Sequence, residues 1–195
     1  MSNPELLKLQ SHKNDWFVRH ARRILQERQA DTGVLNKTLK SDVPVPLRLR
    51  ALWALHVTGH LDNLILKSLL NDSSEHLRAW AIQLLAENKK PDELVRKEFV
   101  RMDTQDKSPL VRLYLASAMQ RLSLKNRLPV LKALLSHVED ADDQNLPLMY
   151  WYATEPLVAA DKGAALQLLT VCKIPKVRQF ITRRITVTSD LKEKE

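Results

Sequence analysis

Apolar positions along this chain recur at helical rather than strand spacing. In residues 108–122, SPLVRLYLASAMQRL, Val111, Leu115, Ala118 and Leu122 share one helix face, with Ser108 placed as cap and Pro109 in the first turn. The opening of that helix, an apolar residue followed by arginine, returns along the chain as Val18-Arg19, Leu49-Arg50, Leu77-Arg78, Val111-Arg112 and Val177-Arg178. The arginines are separated by 31, 28, 34 and 66 residues. Leu148-Met149 stands in register within the long gap and divides it into 37 and 29. Six units of roughly 30–35 residues result, a period that marks helical solenoids.

Each unit reads as two helices. The second helices are expected to start near Asn14, Val45, Ser74, Ser108, Asn145 and Ile174, four of them with proline in the first turn (Pro46, Pro109, Pro147, Pro175). The first helices are expected in TGVLNKTLKS, LDNLILKSLLN, PDELVRKEFVRM, LPVLKALLSHV and KGAALQLLTVC, with PELLKLQ a partial first member. Connections such as NDSS, DTQDKS and EDADDQN are short and polar, as antiparallel pairs require. The fold expected is all-α: a right-handed α-solenoid of about six helix pairs over residues 1–188, with 189–195 a disordered tail.

Composition removes several kinds of chemistry. With three glycines in 195 residues, no Gly-rich phosphate loop can be spelled. The single cysteine, Cys172, excludes an internal disulfide and any C-x-x-C motif, and beside Leu169 it reads as a small core residue. No apolar run approaches the ~20 residues that cross a bilayer, and MSNPELLKLQSHKND has no signal-peptide core. No membrane span, cofactor or metal is expected, and the chain is expected to be a monomer.

Charge singles out the first third. The net charge is +8, and residues 1–60 hold 10 basic against 5 acidic side chains, densest in RHARR at 19–23. Such a patch suits an acidic partner, nucleic acid or simply a solvated face. Aromatics form a second pattern: Trp80, Tyr114, Trp151 and Phe180 each fall two residues after the arginine register. They make a stripe along successive second helices, either core or a binding face in which Arg22, Arg23 and Arg183 supply rim charge. Trp53, Tyr150 and Tyr152 are less well aligned and read as packing residues.

The remaining candidates read as structural. EDADDQNLP, with Glu139, Asp140, Asp142 and Asp143, lacks the mid-loop glycine of a calcium loop and instead complements a helix start, with Asp143 or Asn145 as cap. His56 and His60 are four apart, but Gly59 breaks the face they would share. Pro156 is expected to kink or end its helix, because it removes the bond to the Tyr152 carbonyl. Glu155 has no second carboxylate at fixed spacing for acid–base work.

The apolar-Arg openings resemble those of HEAT-type repeats, in which the arginine fork bonds acidic groups or carbonyls of its own and the neighbouring repeat. The resemblance implies a structural ladder of Arg19, Arg50, Arg78, Arg112 and Arg178. More specifically, NDWFVRHARRILQER, EHLRAWAIQLLAE, EDADDQNLPLMYWYATEPLV and KIPKVRQFITRRI resemble the HEAT-repeat region of large planctomycete and verrucomicrobial proteins described as membrane-bound dehydrogenases. The likeness covers about residues 10–187, and Gln144 departs from the expected histidine. It implies an exported, periplasmic context and a linker or docking module between a β-propeller and a cytochrome c-like domain. Neither flank lies in this chain, so no dehydrogenase chemistry attaches to its residues. Two functions remain: a non-catalytic interaction scaffold, and a nucleic-acid-acting HEAT-like protein such as a DNA alkyl-base glycosylase, for which Glu155 is the loose candidate carboxylate.

Overall fold

The structure, a computed structural model, describes residues 1–87 and 91–192. Residues 193–195, the end of the expected tail, lie outside the described residues. The described residues form twelve α-helices and no strand. They divide into two compact units, residues 1–78 and 79–195.

The first unit holds α1 (Asn3–Lys8), α2 (Asp15–Glu27), α3 (Leu35–Lys40), α4 (Val45–Val57) and α5 (Asn63–Leu69). The helix α6 (Glu75–Glu87) starts in this unit and continues into the second. Polar side chains hold the starts of α1, α2 and α5. Ser2 and Glu5 form a capping box on α1. The Asn14 Oδ1 accepts from Trp16 N at 2.9 Å on α2, and Asp62 Oδ1 accepts from Ile65 N at 2.7 Å on α5. Helices α2 and α4 end alike. Gln29 and Gly59 turn to positive φ (49° and 76°), so that Ala30 N reaches Leu25 O and His60 N reaches Leu55 O, both at 2.9 Å. Packing of α1 on α2, α2 on α4 and α3 on α4 buries Leu6, Ala21, Leu25, Leu39, Leu52 and Leu55. Beneath them Thr32 and Thr58 share a buried hydroxyl bond of 2.6 Å.

The second unit continues with α7 (Glu93–Gln105), α8 (Pro109–Met119), α9 (Leu128–Leu134), α10 (Leu146–Ala160), α11 (Lys162–Val171) and α12 (Pro175–Lys192). The last helix therefore runs into the stretch 189–195 that had been expected as a disordered tail. Asp92, Ser108 and Asp161 cap α7, α8 and α11. Each helix packs on its pair partner and on the corresponding helix of the next pair: α7 on α9, α9 on α11, α8 on α10, α10 on α12. Phe99, Met102, Leu115, Leu131, Leu134, Tyr150, Leu168 and Ile181 are buried between these layers. Pro156 does not end α10, which continues to Ala160 through the position where an amide donor is missing. Among the described residues no helix is long and apolar enough to cross a membrane.

Candidate partner-binding groove

The register arginines divide by what they reach. Arg50 donates to the carbonyls of Gln10 and His12 (3.5 and 3.0 Å) and to Asp15 Oδ1 at 2.6 Å, so it joins α4 to the start of α2. Asp15 is thereby taken from Arg19, which is exposed and makes no hydrogen bond or ion pair among the described residues. Arg78 bonds the carbonyls of Asp72 and Ser73 ahead of its own helix, and Arg178 those of Leu169 and Cys172. Arg112 is buried and grips Asp140 with Nε and Nη2 at 2.7 and 2.5 Å, and Tyr150 donates its hydroxyl to the same carboxylate at 2.5 Å. Burial pulls the Arg112 guanidinium down, but the bonds and charge of Asp140 outweigh it and hold its pKa above the ordinary arginine value. Burial and the same carboxylate raise the Tyr150 phenol, which stays a donor.

Two further arginines do this work without carrying the register. Arg48 joins the Leu39 carbonyl to Asp72, with Nη2 2.5 Å from Oδ2. Arg127 is buried and satisfied by the carbonyls of Leu122, Ala153 and Gln120. Their sequence signal was absent, because neither a carbonyl partner nor a carboxylate 24 residues away leaves a local mark.

Three carboxylates of the acidic loop before α10 are spent on structure, and Asp142 is exposed. Asp140 holds Arg112 and Tyr150, Glu139 Oε1 lies 2.7 Å from His137 Nδ1, and Asp143 accepts from Asn145 N and Leu146 N at 2.7 and 2.8 Å. Those backbone donors lower the Asp143 carboxyl below its usual range. The other ring nitrogen, Nε2, lies 2.8 Å from Asp103 O and 3.6 Å from its carboxylate. Both ring nitrogens thus face acceptors. The Asp103 carboxylate, followed by Glu139, raises the His137 pKa to about 9 against the opposing cost of burial. Asp103 itself, fully buried, is raised by desolvation, with His137 opposing. Cys172 is buried, and desolvation raises its thiol.

The aromatic stripe separates into two clusters. Trp80 and Tyr114 lie 6.4 Å apart between ring centroids, and Trp151 and Phe180 lie 5.4 Å apart. The first pair lines an open groove of about 540 Å³ along α6, α8 and α10, with Leu113, Leu148, Met149 and Tyr152 beside the polar Gln83, Ser117 and Asn145. Trp151 is not among these residues. Tyr152, the next residue, is 54% exposed and takes that place on the groove wall, where spacing had suggested a packing residue. Tyr150 and Trp53 do pack, the first fully buried and the second half-buried under Arg22. Met149, which stands in the arginine register, lies on this wall. Phe180 and Arg183 share a second concavity with Arg178, Gln179 and Thr182. Arg23 is paired with Glu27 on the α2 surface, and Glu155 with Arg184 at 3.0 Å.

These features define an all-helical protein of paired helices. No protein-family model matches the chain, and no curated protein matches it.

Proposed function

We propose that the chain is a non-catalytic interaction module, an α-solenoid of about six HEAT-like helix pairs that docks a protein domain in the groove along α6, α8 and α10. The observation that carries this reading is the groove wall itself: Trp80, Tyr114, Leu148, Met149 and Tyr152 present apolar and aromatic surface in an open channel. Such side chains supply binding energy at low entropic cost when a partner desolvates them. The packing of each second-unit helix on its counterpart in the next pair supports the stacked architecture. By its resemblance the module would join or dock a β-propeller and a cytochrome c-like domain of an exported dehydrogenase-like protein.

The test is immobilised binding of such a propeller or cytochrome domain, with a labelled DNA duplex alongside. Tyr152→Ala is expected to weaken domain binding by about tenfold or more, the ~1.4 kcal/mol or more of a lost aromatic anchor. Domain binding that ignores Tyr152→Ala would remove the groove from the site. Duplex binding that fades steeply with salt, with no domain bound, would favour the nucleic-acid reading instead.

A further inference from the structure

The first unit concentrates positive charge where α2 meets α4. Arg19 and Arg22 lie one turn apart on α2, so their side chains are neighbours. Arg50, at the register position of Arg19, comes from the adjoining helix α4. Arg22 rests 5.2 Å from the centre of the Trp53 ring, a contact that holds its guanidinium in place. Its Nη1 is buried and meets no acceptor among the described residues. The fold therefore keeps a donor out of water without a partner, the condition that an incoming acceptor relieves.

The charge balance of this corner is unequal. Three guanidinium groups face one carboxylate, Asp15, and Arg50 already engages it. Burial lowers the Arg22 pKa, and the nearby charge of Arg19 lowers it further; Asp15 opposes this and Arg50 adds to it. Two other arginines of the unit are compensated, Arg23 by Glu27 and Arg48 by Asp72, and Arg28 bonds the neutral oxygens of Met1 and Asn3. The excess among these four side chains is thus about two charges in one compact spot. A track would suit a nucleic-acid backbone. A compact seat suits a single dianion, which planar guanidinium forks hold in a bidentate manner.

We infer that Arg19, Arg22 and Arg50, over Trp53, form a seat for one doubly charged oxyanion, the chemistry of a phosphoryl group. Arg50 and Arg22 are pre-positioned by Asp15 and Trp53, and exposed Arg19 closes on the anion.

The experiment follows the arginine Nε–Hε resonances of the whole chain as inorganic phosphate, O-phosphoserine, acetate or a short oligothymidylate is added at constant ionic strength. The pH is kept above the second ionisation of a phosphoester, about 6. Phosphate or phosphoserine is expected to shift Arg19 and Arg22 together and saturably, with acetate about tenfold weaker because it carries half the charge. The tighter of the two phosphoryl probes identifies the free or the esterified group as the source. Arg19→Gln, an exposed change that leaves melting unaltered, is expected to cost about tenfold in affinity. Shifts that never saturate, or that spread equally to Arg23 and Arg28, overturn the seat. Full affinity in Arg19→Gln, or binding of the oligonucleotide with no response to either phosphoryl probe, overturns it as well.

Discussion

Arg112, Asp140 and Tyr150 show how much one buried charge can control. Arg112 and Asp140 are each almost fully buried, and their bidentate bond spans from α8 to the loop before α10. Arg112→Met would leave Asp140 charged, buried and held by a phenol alone. It is expected to destabilise by about 3–5 kcal/mol, read from denaturant midpoints. Adding Asp140→Leu should recover most of that loss, because two apolar groups replace an ion pair without stranding either charge. A double variant no more stable than Arg112→Met would mean that the pair contributes more than mutual compensation. Tyr150→Phe removes one bond and should cost about 1–2 kcal/mol. The arginine was legible from the repeated apolar-Arg opening, but its partner was not. That partner, Asp140, lies 28 residues further along the chain.

At the level of elements, two features were decided by backbone and loop geometry. Gln29 ends α2 in the left-handed conformation that Gly59 adopts at the end of α4. A side chain is strained there, so Gln29→Gly should raise stability by roughly 0.5–1 kcal/mol, and Gly59→Ala should lower it by a similar amount. A thermal melt in which Gln29→Gly lowers Tm would contradict this account of the cap. The loop joining α9 and α10 carries the second feature, the His137 bridge between Asp103 and Glu139, close to the buried Arg112–Asp140 pair. The folded pKa of His137, about 9, lies above its ordinary value of 6.5. Its contribution is therefore complete below about pH 6.5 and is lost as pH rises through 9. That loss is expected to reach roughly 2–3 kcal/mol. Urea midpoints across this window should fall in the natural chain and stay nearly flat in His137→Gln. The helices were legible because caps and apolar spacing are local. The second-helix starts anticipated at Asn14, Ser108 and Asn145 are the observed N-caps of α2, α8 and α10.

For the whole molecule, far-UV circular dichroism should show the helical signature without appreciable strand content. The two neighbours Trp151 and Tyr152 should then behave oppositely. Trp151 is half-buried against Phe180, so Trp151→Ala should cost about 2–4 kcal/mol of stability. Tyr152→Ala, at an exposed groove position, should leave melting within about 0.5 kcal/mol. Equal melting losses would erase the distinction between wall and core. The sequence by itself determined the helical class and the absence of glycine-loop and C-x-x-C chemistry, since each follows from spacing and composition along the chain. Tertiary structure alone decided that Arg50 takes Asp15 from Arg19, that Asp140 answers Arg112, and that Tyr152 rather than Trp151 faces the groove. The reason is physical: a helix turns 100° per residue, so a one-residue difference selects core or surface only once the neighbouring helix is in place. Likewise, which carboxylate meets an arginine depends on helix packing across tens of residues, which local pattern does not encode.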